Sequence, residues 1–232
     1  MKTAIPEQSG FTLVEMAIVL LIITLALGGL LTPMARQSER KHMDDTQAQL
    51  DDIRAALLGY AVSHKHLPCP DSDLPPDGLE NRNGANCIGY SGTLPWQDLG
   101  IGAEDAWGRH FSYAATPAFA SSSPAFSLND SGNLTVKSSS GSGGVTYLSN
   151  AVAVVVSHGI NGLGAPGTGT SPASADELDN SNGGTTFVSR GITTAYDISQ
   201  SNTQSEFDDL VMWLPSSLLF NQMVAAGQLT SP

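Results

Sequence analysis

The first part of the chain is dominated by one long apolar run. From Phe11 to Leu31 the only ionisable side chain is Glu15. At about 1.5 Å per residue, a helix over this run is roughly 30 Å long, which matches the hydrocarbon thickness of a bilayer. The pattern therefore predicts a transmembrane or assembly helix over residues 11–32. A lone carboxylate in such a segment is costly, which marks Glu15 as a candidate functional residue.

After this run the apolar residues recur at helical spacing, with polar residues between them. These apolar positions are Met43, Leu50, Ile53, Leu57 and Tyr60. The spacing predicts an amphipathic stem helix over residues 33–66 that continues the apolar helix. Pro33 lies at the junction and predicts a kink there, because proline removes a backbone donor. Pro68 and Pro70 predict that the helix ends before them.

Residues 67–232 have the pattern of a globular domain. Short runs of β-branched and aromatic residues, separated by turn residues, predict strands. These runs are residues 111–114, 126–128, 134–136, 151–157, 185–192 and 210–214, with a hairpin joining the second and third. The fold class predicted for the chain is α+β, in which a long N-terminal α-helix packs on a C-terminal antiparallel β-sheet.

The charge balance limits the partners that the domain can bind. The chain has 22 acidic and 10 basic residues, which gives a formal net charge of −12. Phosphate backbones are bound by clusters of Lys and Arg, so a nucleic-acid partner is disfavoured. The balance instead indicates a well-solvated outer surface.

Cys69 and Cys87 are the chain's two cysteines, and both follow the apolar helix. If this part of the chain is exported, an oxidising compartment favours a disulfide between them. The alternative is a pair of unrelated buried thiols.

The segment Gly10-Phe11-Thr12-Leu13-Val14-Glu15, followed by the apolar run, resembles the N-terminus of the type IV pilin superfamily, which includes the pseudopilins of type II secretion. The resemblance implies that residues 1–10 are a leader peptide, removed after Gly10 by a prepilin peptidase. It also implies N-methylation of the new N-terminal Phe11. In this family the glutamate equivalent to Glu15 is thought to pair with the N-terminal amine of a neighbouring subunit.

The same resemblance implies the partners and the location. The partners are other pilin or pseudopilin subunits, the prepilin peptidase/methyltransferase, an inner-membrane assembly platform and the lipid bilayer. Before assembly the protein would span the bacterial inner membrane once, with its domain in the periplasm. After assembly it would form part of a cell-surface or periplasmic filament.

Two acidic segments are candidate calcium sites, because hard carboxylate oxygens are the ligands that Ca²⁺ prefers. The first set is Asp71, Asp73, Asp77 and Glu80. The second set is Asp176, Glu177 and Asp179 together with Asp208 and Asp209, which requires the fold to bring two segments together. The pilin resemblance points in the same direction, because the major pseudopilins hold calcium in a loop near their last strands. The alternative for both sets is a solvated acidic loop.

No group of residues has the pattern of a catalytic site. His158 lies at the end of a predicted strand, and Ser91 lacks the Gly-x-Ser-x-Gly pattern of a nucleophile elbow. We therefore expect a structural filament subunit and not an enzyme. The alternative is a minor pilin that acts at a filament tip in binding, adhesion or DNA uptake.

Overall fold

The computed structural model describes residues 10–193 and 206–229, leaving aside the side chains of residues 26–36. The helices are α1 (Leu13–His64), α2 (Trp96–Leu99), α3 (Pro117–Ala120), α4 (Ala175–Ser181) and α5 (Ser216–Ala225). The strands are β1 (Arg82–Asn83), β2 (Asn86–Cys87), β3 (Ser91–Thr93), β4 (Ser112–Ala115), β5 (Leu134–Lys137), β6 (Thr146–Ser157), β7 (Thr186–Val188) and β8 (Leu210–Pro215). The chain is thus α+β, as the sequence predicts. Residues 1–9 of the predicted leader lie outside the described residues.

The chain divides into two compact units, of which the first ends at His42 and the second begins at Met43. In the first unit the apolar side chains between Phe11 and Leu25 are exposed. Eleven large apolar side chains there have 46 to 91% of their surface accessible. Among the described residues, no helix combines the length and the apolarity that a bilayer crossing needs.

In the second unit, α1 contributes one apolar face to the core. Leu50, Ile53, Leu57 and Ala61 are each at most 2% exposed, and their spacing of three or four residues places them on one side of the helix. The helix ends where Lys65 adopts a left-handed conformation, with φ of 65°. The predicted stem, residues 33–66, therefore extends two residues beyond the observed helix end.

The central strand of the sheet is β6. It pairs antiparallel with β4, β5 and β8, and β3 pairs antiparallel with β4. Residues 151–157 of β6 are all buried, as their continuous apolar pattern indicates. However, β7 pairs parallel with β5, so the prediction of an antiparallel sheet is wrong for that pair. The connection from β6 to β7 carries α4, and β7 lies beside β5 at the edge of the sheet.

The core lies between α1 and one face of the sheet. Its fully buried side chains include Leu57, Phe111 and Met212. Burying a side chain of this size contributes roughly 1.5–3 kcal/mol. Phe126 also packs there, 4.9 Å from the Phe119 ring, but it lies in an irregular segment, so the predicted hairpin over residues 126–136 does not form.

Cys69 and Cys87 are joined by a disulfide bond, with their Cα atoms 5.3 Å apart. The bond connects the segment that follows α1 to strand β2. Nearby, Tyr113 Oη donates a hydrogen bond of 3.1 Å to the carbonyl oxygen of Pro68. The hydrogen bond ties the segment after the helix to the six-stranded sheet, and the disulfide ties it to the separate antiparallel pair β1–β2.

Candidate metal centre

Three carboxylates from distant parts of the sequence meet at one end of the sheet. Glu177 lies on α4, and Asp208 and Asp209 directly precede β8. One oxygen from each carboxylate lies within 4.8 Å of the other two. The three residues are 1%, 2% and 3% exposed, respectively. We call this group the carboxylate centre.

The pairing of β6 with β8 places the turn after β6 beside the two aspartates. Gly159 begins that turn with a φ of 53°, and a Cβ atom there would overlap the backbone of Asp208. Glycine is therefore required both for the conformation and for the close approach. Asn161 N donates to Asp208 Oδ2 at 2.8 Å, and Asn161 Nδ2 donates to Glu177 Oε1 at 3.3 Å.

Asn180 fixes α4 against the sheet at the same place. Its Nδ2 donates to Asp209 Oδ2 at 2.8 Å and to the carbonyl oxygen of Val188 at 3.0 Å. Its Oδ1 accepts a 2.7 Å hydrogen bond from Val188 N. Because Asn180 follows Glu177 by three residues, both side chains lie on the same face of the helix. The helix therefore presents Glu177 in a fixed position.

Several polar atoms of the centre remain unsatisfied among the described residues. Asp208 Oδ1, Asp209 Oδ1 and His158 Nδ1 are buried without a hydrogen-bond partner. His158 Nε2 lies 2.7 Å from Ser112 Oγ, whereas its Nδ1 is 3.6 Å from Asp209 Oδ1, too far for a hydrogen bond. Buried polar groups are normally paired, so such atoms in one place indicate a missing partner.

The pKa values of the centre's carboxyl groups also indicate that a partner is missing. Burial, together with the nearby Asp209 and Asp208 carboxylates, raises the pKa of Glu177 to about 8. Burial and the neighbouring carboxylate of Asp209 raise the pKa of Asp208 to about 6. Three buried carboxylates cannot all be ionised at neutral pH without a compensating positive charge. A hard divalent cation such as Ca²⁺ fits these oxygen ligands.

The first predicted calcium segment forms a different arrangement. Oxygens of Asp71, Asp73 and Asp77 also lie within 4.8 Å of one another, but Asp73 and Asp77 are exposed. Both oxygens of Asp71 accept backbone hydrogen bonds, from Asp73 N at 2.9 Å and from Gly78 N at 2.6 Å. Glu80 is not part of this group. This segment is a hydrogen-bonded turn with an acidic surface.

Glu80 instead supports the disulfide-linked segment. Its carboxylate lies 2.8 Å from Arg82 Nε and accepts hydrogen bonds from Tyr60 Oη at 3.1 Å and Cys69 N at 2.9 Å. The guanidinium of Arg82 and these hydrogen bonds hold the pKa of Glu80 below its usual value, although burial opposes them. A carboxylate with three partners of this kind has little capacity left for a metal ion.

Asp176 and Asp179, the remaining members of the second predicted set, do not join the carboxylate centre. Asp176 Oδ2 lies 2.7 Å from Arg190 Nε, and its Oδ1 accepts a 2.7 Å hydrogen bond from Ser140 N. Asp179 Oδ1 accepts a hydrogen bond of 3.4 Å from Asn182 Nδ2. The helical period separates their side chains from that of Glu177.

The predicted processing site precedes α1. Gly10 and Phe11 are exposed and lie outside the helix. Thr12 N and Thr12 Oγ1 each donate a 2.9 Å hydrogen bond to Glu15 Oε2, and Glu15 N donates to Thr12 Oγ1 at 3.2 Å. This is a capping box, whose signature is Thr or Ser followed three residues later by Glu. Glu15 thus caps its own helix in the single subunit.

The supporting residues of the carboxylate centre were not identified from sequence. Asn161, Asn180 and Ser112 carry no motif that distinguishes them, and His158 is recognisable only as a residue at a strand end. The spacing of Glu177 and Asn180 is the one usable signal, and it requires the short helix α4 to be recognised first.

Comparison with known proteins identifies the N-terminal segment. Residues 6–31 match the family model described as "Prokaryotic N-terminal methylation motif". The chain is also similar to competence protein ComGC of Halalkalibacterium halodurans, with 35% identity over 68 residues, which cover 29% of this chain and 67% of that protein. No solved structure matches the chain. These similarities indicate a structural subunit and not an enzyme. The methylation motif that spans Gly10 and Phe11 and the similarity to a pilin-like competence protein show that this chain belongs to the type IV pilin superfamily.

Proposed function

We propose that this chain is a structural subunit of a type IV pilus-like or type II secretion pseudopilus filament, assembled through its apolar N-terminal helix. The observation that carries the proposal is the set of eleven exposed apolar side chains between Phe11 and Leu25. A contiguous exposed apolar surface of this size is typical of a site that binds lipid or another protein. Lipid covers it while the subunit waits in the inner membrane, and the helices of neighbouring subunits cover it in the filament.

Processing would prepare this helix for assembly. A prepilin peptidase/methyltransferase cleaves after Gly10 and methylates Phe11, and an inner-membrane platform then adds the subunit to the filament. The match to the methylation motif covers both residues, and their exposure outside α1 makes the peptide bond accessible. Mass spectrometry of the mature protein should find a methylated N-terminal Phe11. A mature protein that retains Met1 would contradict the proposal.

Glu15 would set the register between subunits. Once Phe11 is the N-terminus, its amine is a cation that can pair with Glu15 of a neighbouring copy. A carboxylate without a partner is costly inside an apolar helix bundle, so this pairing is favourable. Glu15→Gln should leave membrane insertion unchanged and abolish filaments recovered by shearing.

Thr12→Val is the matched control for that substitution. It keeps the β-branched shape but removes the hydroxyl that donates to Glu15 within the subunit. If Glu15 acts between subunits, this variant should still assemble. If Glu15 serves only as a helix cap, both variants should lose filaments equally, and the pairing role would be refuted.

The carboxylate centre would bind a divalent cation, with Glu177, Asp208 and Asp209 as ligands and calcium as the ion. The support is three buried carboxylates with two unsatisfied oxygens. A bound divalent cation would offset most of the negative charge of the centre and link the connection between β6 and β7 to the start of β8. Its function would then be to stabilise the globular part of the subunit outside the cell, where calcium is available.

The similarity to a competence protein favours one alternative, a minor pilin in a DNA-uptake filament. The net charge of −12 opposes direct contact of this subunit with a phosphate backbone. A major subunit should dominate the protein content of sheared filaments, and a tip subunit should be rare in them. DNA binding by the purified chain that weakens steeply with salt would favour the alternative.

A further inference from the structure

An apolar cleft with an acidic rim lies beside α1 in the second unit. Its floor is formed by Ile53, Ile101 and Phe111, and its rim carries Asp52 and Glu104. The cleft measures about 320 Å³, which is at the lower end of the size of ligand pockets. It therefore fits a single long side chain better than a whole peptide segment.

The cleft also has an amide side chain in its lining. Gln49 lines it, and its Nε2 donates a 3.3 Å hydrogen bond to the carbonyl oxygen of Glu104. Its Oε1 is buried without a hydrogen-bond partner among the described residues. Two carboxylates on the rim of an apolar cleft favour an occupant that carries positive charge at the end of an apolar stem. Lys and Arg side chains have both properties.

Most basic side chains of the second unit are already engaged. Arg54, Arg82 and Arg190 pair with carboxylates, Arg109 donates to the carbonyl oxygens of Gly159 and Ile160, and Lys137 donates to that of Gly141. In contrast, Arg40 and Lys41 are adjacent and exposed on α1, and no ion pair involves either of them among the described residues. Two neighbouring cations on an exposed helix complement an acidic cleft on another copy.

We propose that the cleft lined by Gln49, Asp52 and Glu104 receives Arg40 or Lys41 from a second copy of this chain in the filament. The contact joins two different surfaces, so it is head-to-tail and can propagate into an open filament. This inference rests on the proposed filament function and specifies one of its contacts.

Cross-linking between differently tagged copies tests the contact. The chain's two cysteines are both in the Cys69–Cys87 disulfide, so introduced cysteines are unique. One copy carries Lys41→Cys, or separately Arg40→Cys, and the other carries Gly102→Cys at the cleft. A Cβ at Gly102 meets no atom within 4 Å. Filaments from cells that express both copies should give a cross-linked heterodimer with a short bismaleimide.

Gly143→Cys is the matched control for the cleft position. Gly143 is also exposed, and a Cβ there likewise meets no atom within 4 Å, but it lies between β5 and β6 away from the cleft lining. The cross-link at Gly102 should exceed that at Gly143 by about tenfold, because a docked pair has a high effective concentration. Filaments with equal or no cross-linking at the two positions would overturn this inference and leave the filament function standing.

Charge reversal gives a second measurement. Arg40→Glu with Lys41→Glu should lower the filament yield about tenfold or more, and adding Asp52→Lys with Glu104→Lys should restore it. Lys65→Glu, at a basic residue outside the cleft lining, controls for reversal of a positive charge elsewhere in the chain. A lowered yield without restoration would contradict the contact. If the unmodified chain forms no filaments and lacks a methylated Phe11, the proposed function fails and this contact fails with it.

Discussion

Removing divalent cations should destabilise the subunit at alkaline pH and have little effect at acidic pH. The perturbation is chelation by EDTA, compared with saturating CaCl₂, on the full chain in detergent micelles. The reason lies in the carboxylate centre, where Glu177, Asp208 and Asp209 are buried together. Without a cation, Glu177 and Asp208 resist ionisation in the folded state but ionise freely in the unfolded state.

The size of the effect follows from the pKa shifts. A folded pKa of about 8 for Glu177, against an ordinary value of 4.5, lowers the free energy of unfolding at pH 7 by about 3 kcal/mol. The rise in the pKa of Asp208 from 3.8 to about 6 acts in the same direction. These are acids with raised folded pKa values. Below the unfolded pKa values these groups do not reduce the free energy of unfolding of the cation-free protein. Their cost grows as the pH rises towards 8.

Thermal unfolding followed by tryptophan fluorescence measures this effect. A cation at one hundred times its Kd adds about 2.7 kcal/mol, which for a unit of this size corresponds to a rise in Tm of about 5–10 °C. We expect that rise at pH 8 and almost none at pH 5, where protons replace the cation. Glu177→Gln should raise the Tm of the EDTA-treated protein at pH 8 and abolish the calcium effect.

Asp179→Asn is the matched control, because Asp179 lies on the same short helix but outside the centre. This variant should keep the full calcium response. Equal Tm values in EDTA and CaCl₂ at pH 8 would refute the proposal that the centre binds calcium. A calcium response that survives Glu177→Gln would place the ion elsewhere, for instance in the turn that contains Asp71.

Three further predictions concern the globular part. Replacing Cys69 and Cys87 with alanine should lower the free energy of unfolding by about 3 kcal/mol, given a sequence separation of 18, and urea denaturation of oxidised and reduced protein measures this. Burial, and the guanidinium of Arg82, lower the pKa of His66, so its contribution to stability is present above pH 6.5 and is lost as the pH falls below that value. His66→Gln should therefore show a weaker acid-induced loss of stability in urea titrations at pH 7.5 and pH 5. Leu57→Ala should cost about 2–5 kcal/mol, because Leu57 is 0% exposed in the core, and an equal cost for the exposed Leu74→Ala would contradict this assignment of the core.

Local patterns in the sequence account for the helix and for the central strand. Helical spacing from Leu50 to Tyr60 identifies the buried face of α1, because the period of a helix is fixed by its backbone geometry. The continuous apolar run over residues 151–157 likewise identifies the buried part of β6. The motif from Gly10 to Glu15 identified the family. These features depend on neighbours in the chain, so the chain alone is sufficient to find them.

The sequence could not show which side chains meet across the fold. From the sequence, the two acidic segments are equally plausible calcium sites. In the fold, the pairing of β6 with β8 brings Asp208 and Asp209 close to Glu177. Asp176 and Asp179 stay outside this group. The parallel pairing of β7 and the irregular path around Phe126 were also decided by packing, since a short strand takes its partner from the tertiary structure. The sequence by itself determined the stem and the family, because those are local. The tertiary structure decided the carboxylate centre and the cleft, because both depend on contacts between residues far apart in the chain.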